Sequence, residues 1–394
     1  MPARPSTIAL LVIAVLLMLL GPASRAAPAS AAAPGWMQVN SSGFGDPGNN
    51  TVASLASFGG RLYAGAHNPA GAQLWRLDPA GWTRLASGGF GDPTNTGINH
   101  LIAFDGYLYA GTMNEVSTPA LTTGAQVWRS ADGTSWGRVT LPGLDPTNGE
   151  ISRFAIYNTA LFAGTFSYDE ARGGEVWRST TGASGTWSRV ASNGFGDAHS
   201  PGIMSFEVHG GWLYAGTMNW TTGGQVWRCS GNCTSWSKVS PNGFGDVGNI
   251  AVSALAVFNG RLYASTVHSA GAGAQVWCCQ TCNGGDWQRV VTNGFGDSQT
   301  RGMSSLEVFA GQLYLTVGNA QTGMQVWRTA SGTQWEQVGR VGFGDPANRA
   351  PYWDSGVAVF ENRLYVGTWN PASGGQLWLY LPHGLHLPLA LRLR

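Results

Sequence analysis

Charged residues are scarce in this 394-residue chain, at 11% of the sequence against about a quarter in an average globular protein. The formal net charge is +1, which argues against a nucleic-acid binder that relies on a basic surface. No stretch after residue 26 has a helical hydrophobic period longer than a turn. What the chain has instead is 58 glycines, without a three-residue collagen period, and 18 tryptophans. This composition excludes disorder and indicates a large, turn-rich, aromatic β protein.

Only one long apolar run is present, the thirteen residues from Ile8 to Leu20. It follows Arg4 and precedes small residues through Ala26 and Ala27, which is the pattern of a secretory signal peptide. Thirteen residues are fewer than the ~20 that span a bilayer, so a membrane anchor is the less favoured alternative. We therefore predict a signal peptide at 1–26, a linker at 27–35, and a secreted or cell-surface protein without a stable transmembrane segment.

One sequence unit repeats along the rest of the chain. The tetrapeptide GFGD occurs at 43–46, 89–92, 194–197, 243–246, 294–297 and 342–345, and Gly143-Leu144-Asp145 is a shortened seventh copy. Each copy begins a unit of about 50 residues that contains four short segments rich in β-branched and aromatic residues. Four short antiparallel strands in each such unit are typical of a β-propeller blade.

The order of the segments predicts how the ring closes. The fourth segment, W-x-x-V or W-x-x-L, has six copies after the first GFGD and a seventh at Trp36-Met37-Gln38-Val39, ahead of it. The last unit ends after its third segment, near Leu381. We predict an all-β, seven-bladed propeller over 36–381, with four antiparallel strands per blade and the last blade closed by the N-terminal strand. Residues 382–394 form a tail.

The second unit carries a motif known from a family. The segment Ser130-Ala131-Asp132-Gly133-Thr134-Ser135-Trp136 resembles the Asp-box hairpin of sialidase-type propellers, one residue short, and lies between the third and fourth strands as in that family. The glycine and aromatic rhythm is also similar to that of kelch propellers. This resemblance covers 36–381 as a fold and implies little about activity, because propellers serve many functions. The three arginines of a sialidase site are not reproduced.

The repeated turns each end in an aspartate: Asp46, Asp92, Asp145, Asp197, Asp246, Asp297 and Asp345. Oxygen ligands in a ring could bind calcium. A feature shared by all blades more often builds the blade, so we favour Asx-type turns in which the carboxylate accepts backbone N–H groups. We predict no metal or other cofactor, with calcium as the alternative.

The five cysteines fall in two equivalent hairpins. In an exported protein their spacing predicts the disulfides Cys229–Cys233 and Cys279–Cys282, with Cys278 left over. A four-cysteine zinc site bridging two blades is the less favoured alternative.

In a propeller, the GFGD connections and the loops between second and third strands share one face, which we call the loop face. The candidate binding residues are those on this face that break the repeat: Tyr168, Trp220, His268, Trp353 and Trp369. Flat aromatic rings on a concave face suit stacking on sugars, although such rings can also simply cover loops. We predict a monomeric, non-catalytic protein that binds a carbohydrate or an extracellular protein, and no nucleic acid.

Two other functions stay open. An Asp-box-type glycoside hydrolase or lyase would need a carboxylate pair roughly 5–10 Å apart, and Glu150 with Asp169 or Glu170 is the candidate pair. A structural or assembly factor at the cell surface would need neither catalysis nor a sugar.

Overall fold

The computed structural model describes residues 35–114, 124–139, 144–169, 171–269, 271–350 and 356–382. The predicted signal peptide, nearly all of the linker and nearly all of the tail lie outside these ranges. So do Glu170 and Trp353 among the candidate site residues.

The described strands pair into four-stranded antiparallel units that follow the sequence repeats in order, and we number these units as blades 1 to 7. An all-β fold with antiparallel four-stranded blades is therefore confirmed. The strands are β1 (Trp36–Gln38), β2 (Thr51–Phe58), β3 (Arg61–His67), β4 (Gln73–Asp78), β5 (Gly81–Ala86), β6 (Asn95–Phe104), β7 (Tyr107–Asn114), β8 (Val127–Ser130), β9 (Gly137–Arg138), β10 (Asn148–Tyr157), β11 (Ala160–Ser167), β12 (Val176–Ser179), β13 (Ser188–Ala191), β14 (Gly202–His209), β15 (Trp212–Met218), β16 (Val226–Cys229), β17 (Ser237–Lys238), β18 (Asn249–Phe258), β19 (Arg261–His268), β20 (Val276–Cys279), β21 (Gln288–Val291), β22 (Thr300–Phe309), β23 (Gln312–Asn319), β24 (Gly323–Thr329), β25 (Glu336–Gln337), β26 (Val357–Phe360), β27 (Arg363–Gly367) and β28 (Leu377–Tyr380).

The N-terminal strand completes the last blade. β1 pairs antiparallel with β28, and the order in that sheet is β1, β28, β27, β26. The ring also closes on its inner side, where Thr51 at the start of blade 1 pairs with Trp369, two residues after β27. The predicted closure by residues 36–38 is therefore present in the fold.

The GFGD turns fill the wedges between blades with aromatic rings. Phe44 stacks on Trp75 of the third strand at 4.8 Å and meets Trp82 of the fourth strand edge-on at 5.1 Å. The turn that presents this ring is a single helical turn, Ser42–Gly45, in which Gly43 and Phe44 both have positive φ. Glycine adopts this conformation without strain, and the stacked tryptophan offsets the strain at the phenylalanine. The same stacking recurs with Phe90, Phe195, Phe244, Phe295 and Phe343.

Two disulfides staple the third-to-fourth strand hairpins of blades 4 and 5. They join Cys229 to Cys233 and Cys279 to Cys282, while Cys278 is free and buried. The predicted pairing is confirmed. A helix long and apolar enough to cross a membrane does not occur among the described residues.

Reduction of the denatured protein is expected to add four hydrogens to the intact mass, because each of the two disulfides takes up two. The measurement is intact mass spectrometry with and without reductant. Alkylation before reduction serves as the control, since only Cys278 should be labelled. An unchanged mass on reduction would contradict the pairing.

Candidate functional site

The seven turn aspartates each accept a backbone hydrogen bond within their own turn. Asp46 accepts the backbone N–H of Gly48 at 2.9 Å through Oδ1, and its Oδ2 accepts Nδ2 of Asn68 at 3.1 Å and Nε2 of Gln73 at 2.8 Å. In every copy Oδ1 accepts the N–H two residues further along; the other six are Asp92, Asp145, Asp197, Asp246, Asp297 and Asp345. These contacts are those of Asx-type turns. In the part of the chain that the structure describes, no three His, Cys, Asp or Glu side chains converge to hold a metal ion.

His268 takes the place of the asparagine that binds the turn aspartate in other blades. Its Nε2 lies 3.2 Å from Oδ2 of Asp246, and the side chain is only 6% exposed. In blade 4 the same contact is made by Asn219 to Asp197, at 2.9 Å. This position favours a role in the turn over contact with a ligand.

Trp369 lies at the junction of blades 7 and 1. Its backbone pairs with both Thr51 of blade 1 and Arg349, which precedes blade 7. The Arg349 guanidinium sits 5.4 Å from the indole centre. Trp369, whose indole is half-buried, therefore helps to close the propeller as well as lying on the predicted loop face.

Tyr168 and Trp220 come together on one apolar cluster. Phe166, Met204 and Met218 form its buried part with Ile250, Ala251 and Val267, and the two aromatic side chains pack against it while staying partly exposed. Tyr168 leaves the end of β11 and Trp220 the end of β15, so neighbouring blades supply the two rings. Of the five predicted binding residues, these two share one patch, which we call the blade 3–4 patch (Phe166, Tyr168, Met218, Trp220).

A buried carboxylate adjoins this patch. Glu150 stands where the first strand of a blade pairs with the preceding blade, a position that is Gly202, Ala251 or Gly302 elsewhere. It is 8% exposed, and its Oε2 accepts Nδ2 of Asn99 at 3.0 Å. Its Oε1 accepts the Tyr168 hydroxyl in a short hydrogen bond. The tyrosine therefore carries a polar tip that is fixed by a neighbouring strand.

Tyr168 owes its position to a glycine. A Cβ on Gly149 would lie 2.2 Å from the tyrosine ring, so the ring lies directly against the backbone there. Gly149 does not have positive φ, so glycine is needed here because a larger residue would have no space and not because of the backbone conformation. The contact fixes the ring beside Glu150.

The other predicted carboxylate, Asp169, is exposed. Its Oδ2 lies 3.6 Å from Nε of Arg172. Arg172 also reaches Asp145, at 3.6 Å. Asp169 therefore takes part in a surface ion pair beside the turn of Asp145.

Blade 3 differs from the other blades at a position that the sequence reasoning missed. Glu175 lies immediately before β12, at a position where the other six blades carry glutamine, and its Oε1 accepts Nη1 of Arg189 at 2.6 Å. Its Oε2 accepts Nδ2 of Asn148 and Nε1 of Trp177, as the glutamine oxygen does elsewhere. The signal was available, because one acid replaces glutamine in a column of seven equivalent residues.

A cavity of about 200 Å³ along the ring axis was not predicted either. Arg153 and His100 line it from blades 3 and 2, and Glu307 lines it from blade 6. Burial, together with the charge of Arg153, lowers the pKa of His100 to about 3. Burial, together with the charge of Glu207, raises the pKa of Glu307 to about 7. Burial also raises the pKa of Glu207 to about 7. These titratable groups come from strands far apart in sequence, so no local motif marks them.

No protein-family model matches the sequence, and no curated protein matches it significantly. Solved structures do match the fold. A chain of a mitotic checkpoint complex has a TM-score of 0.56 at 12% identity, over 92% of this chain and 98% of that one. YCF48 bound to D1 peptide has a TM-score of 0.54 at 13% identity, over 91% and 99%. An ancestral GH74 enzyme has a TM-score of 0.55 at 11% identity, over 86% of this chain and 48% of that one. At these identities the likeness is one of fold, and the fold is that of a β-propeller.

Proposed function

We propose that this protein is an exported, non-catalytic binding protein that recognises a carbohydrate through the blade 3–4 patch. The observation that carries the proposal is the convergence of Tyr168 and Trp220 on one apolar cluster beside the carboxylate of Glu150. Sugars present apolar C–H faces that pack on aromatic rings and hydroxyls that need acceptors. The patch supplies the aromatic rings, and Glu150 beside it supplies a carboxylate acceptor. Two disulfides support export, because such bonds persist in oxidising compartments.

The first test is a glycan and polysaccharide panel, scored on the same samples for binding and for newly released reducing ends. Binding without release is expected. The absence of both binding and released reducing ends would contradict the carbohydrate proposal. It would favour a protein partner, to be sought by co-purification.

Substitutions should then map binding to the patch. Trp220→Ala is expected to weaken glycan binding at least tenfold, the typical effect of removing a buried aromatic anchor. Gly149→Ala should weaken it similarly, because the new methyl group displaces the Tyr168 ring. The matched control is Gly137→Ala, where a Cβ meets nothing within 4 Å. Equal affinity in Gly149→Ala and Gly137→Ala would contradict the assignment.

A glycoside hydrolase is the second candidate, favoured by the hydrogen bond from the Tyr168 hydroxyl to Glu150. A carboxylate in this position can take the phenolic proton and so activate the oxygen as a nucleophile. The Asp-box-like hairpin at 130–136 agrees with this alternative. Release of reducing ends that is abolished by Glu150→Gln, with binding retained, would select the hydrolase. Binding without release in the unmodified protein would reject it.

A further inference from the structure

The exposed aliphatic side chains of this protein concentrate at one position of the repeat. Among the described residues, the exposed large hydrophobic side chains are Ile156, Val208, Val247 and Val308. All but Val247 are the penultimate residue of the first strand of a blade. The same position holds the partly exposed Val257 and Val359 in blades 5 and 7, and Ser57 and Ala103 in blades 1 and 2.

The five aliphatic residues of blades 3 to 7 form one surface, which we call the axial apolar rim (Ile156, Val208, Val257, Val308, Val359). The first strands of these consecutive blades contact one another. Each rim residue comes two positions after a residue that lines the axial cavity, and residues two apart share one side of a strand. Those lining residues are Phe154, Phe206, Leu255, Leu306 and Val357. The rim therefore continues the cavity lining along the axis, toward the face opposite to the loop face.

The described chain ends beside this rim. Strand register places Val359 opposite Leu364, and Leu364 opposite Tyr380 near the end of β28. Tyr380 is thus level with the rim and two strands from Val359, or about 10 Å at ~4.8 Å per strand. Residues 383–394 follow directly, and twelve extended residues reach up to about 40 Å. This segment is long enough to cross the axis.

The sequence of this segment complements the rim. Leucine occupies every second position, at 385, 387, 389, 391 and 393, so an extended chain presents one apolar side. Its charged residues are Arg392 and Arg394. Glu207 and Glu307 each stand one position before a rim valine, and neither forms an ion pair with a described residue. Apolar and charged groups of the two surfaces therefore match in kind and in sign.

We propose that residues 383–394 bind across the axial apolar rim of the same chain, and so cover the axis on the face opposite to the loop face. The leucines cover the exposed aliphatic side chains, and the two arginines complement the acids beside them. The short connection to β28 gives the segment a millimolar effective concentration at the rim, so that a weak contact suffices. The proposal concerns the opposite face from the blade 3–4 patch and is independent of glycan binding.

The first test is methyl NMR of the full chain, with isotope-labelled isoleucine and valine and a nitroxide attached to Leu393→Cys. The nitroxide is expected to broaden the methyl signals of Ile156, Val208 and Val308. Val247 is the internal control, because it is exposed but lies in a GFGD connection on the loop face. Cys278 is buried, and nitroxide-treated protein without Leu393→Cys corrects for any label on it.

A mixing experiment separates binding within one chain from binding between chains. Nitroxide-bearing chains without isotope label are added to isotope-labelled chains without nitroxide, and no broadening is expected. Broadening of the rim signals in this mixture alone would overturn the proposal and assign the rim to a second copy. The absence of rim broadening in the doubly labelled chain would overturn it as well.

The second test is the rate of tryptic cleavage after Arg392, followed by mass spectrometry. Val208→Ser combined with Val308→Ser should be cleaved about tenfold faster than the unmodified chain, because cleavage tracks the population of the unbound segment. Serine stands at this position in blade 1, so the double variant is expected to fold. The matched control is Val247→Ser, which should be cleaved at the unmodified rate. Equal cleavage rates in all three proteins would contradict the assignment.

Discussion

Deletion of residues 27–40 is expected to lower the Tm strongly, because it removes the strand that closes the ring. β1 pairs with β28 from Trp36 to Gln38, and Asn40 continues the contact by accepting the N–H of Leu377 at 2.7 Å. Without β1, the hydrogen-bonding edge of β28 and its buried side chains face water. The measurement is thermal and denaturant unfolding of the truncated chain.

A single substitution should reproduce part of this effect. Trp36 is 2% exposed, packs on Phe343 and Tyr380, and donates Nε1–H to the carbonyl of Val338 in blade 6. Trp36→Ala should therefore cost about 3–5 kcal/mol of unfolding free energy. A chain that starts at Gly35 keeps β1 and serves as the control. If the protein that lacks residues 27–40 melts at the same temperature as this control, β1 does not hold the ring closed.

The second large effect concerns pH. Replacing both Glu207 and Glu307 with glutamine is expected to stabilise the protein at pH 8 and to leave it nearly unchanged at pH 5. The folded-state pKa of each acid is raised from 4.5 to about 7, mainly by burial. The folded protein therefore holds these protons more tightly than the unfolded chain does. The stabilising contribution of the two glutamates to the free energy of unfolding is fully present below about pH 4.5. It is lost as the pH rises through about 7.

The size of this effect is on the order of 2 kcal/mol for each glutamate, after allowance for screening by solvent. His100 acts in the opposite direction, because its pKa is lowered to about 3, so its contribution grows as the pH rises from about 3 to 6.5. The difference in unfolding free energy between the double variant and the unmodified protein, taken at each pH, cancels the His100 contribution. Glu361→Gln, at an exposed site, is the control. A stability difference that does not grow between pH 5 and pH 8 would contradict the raised pKa values.

The local parts of this fold could be predicted because they repeat. Neighbouring residues determine each GFGD turn, each third-strand tryptophan and each strand boundary. Because the unit occurs seven times in the sequence, the pattern can be recognised. The disulfides were predictable for the same reason, since Cys229–Cys233 and Cys279–Cys282 close short loops within hairpins. His268 was harder to interpret. A histidine that departs from an asparagine column looks functional in the sequence, but it binds the turn aspartate as the asparagine does.

The all-β class, the four-stranded unit, the strand that closes the ring and the disulfide pairing could be read from the amino-acid order, because each depends on residues close in the chain or on the count of repeats. Which exceptions to the repeat meet in space depends on how the blades pack in three dimensions. Tyr168 and Trp220 share a cluster with Glu150 nearby, and Arg153 faces the same cavity as Glu307, because adjacent and opposite blades bring their inner strands to one axis. Strand register and blade order fix those distances, and neither is encoded within any one repeat.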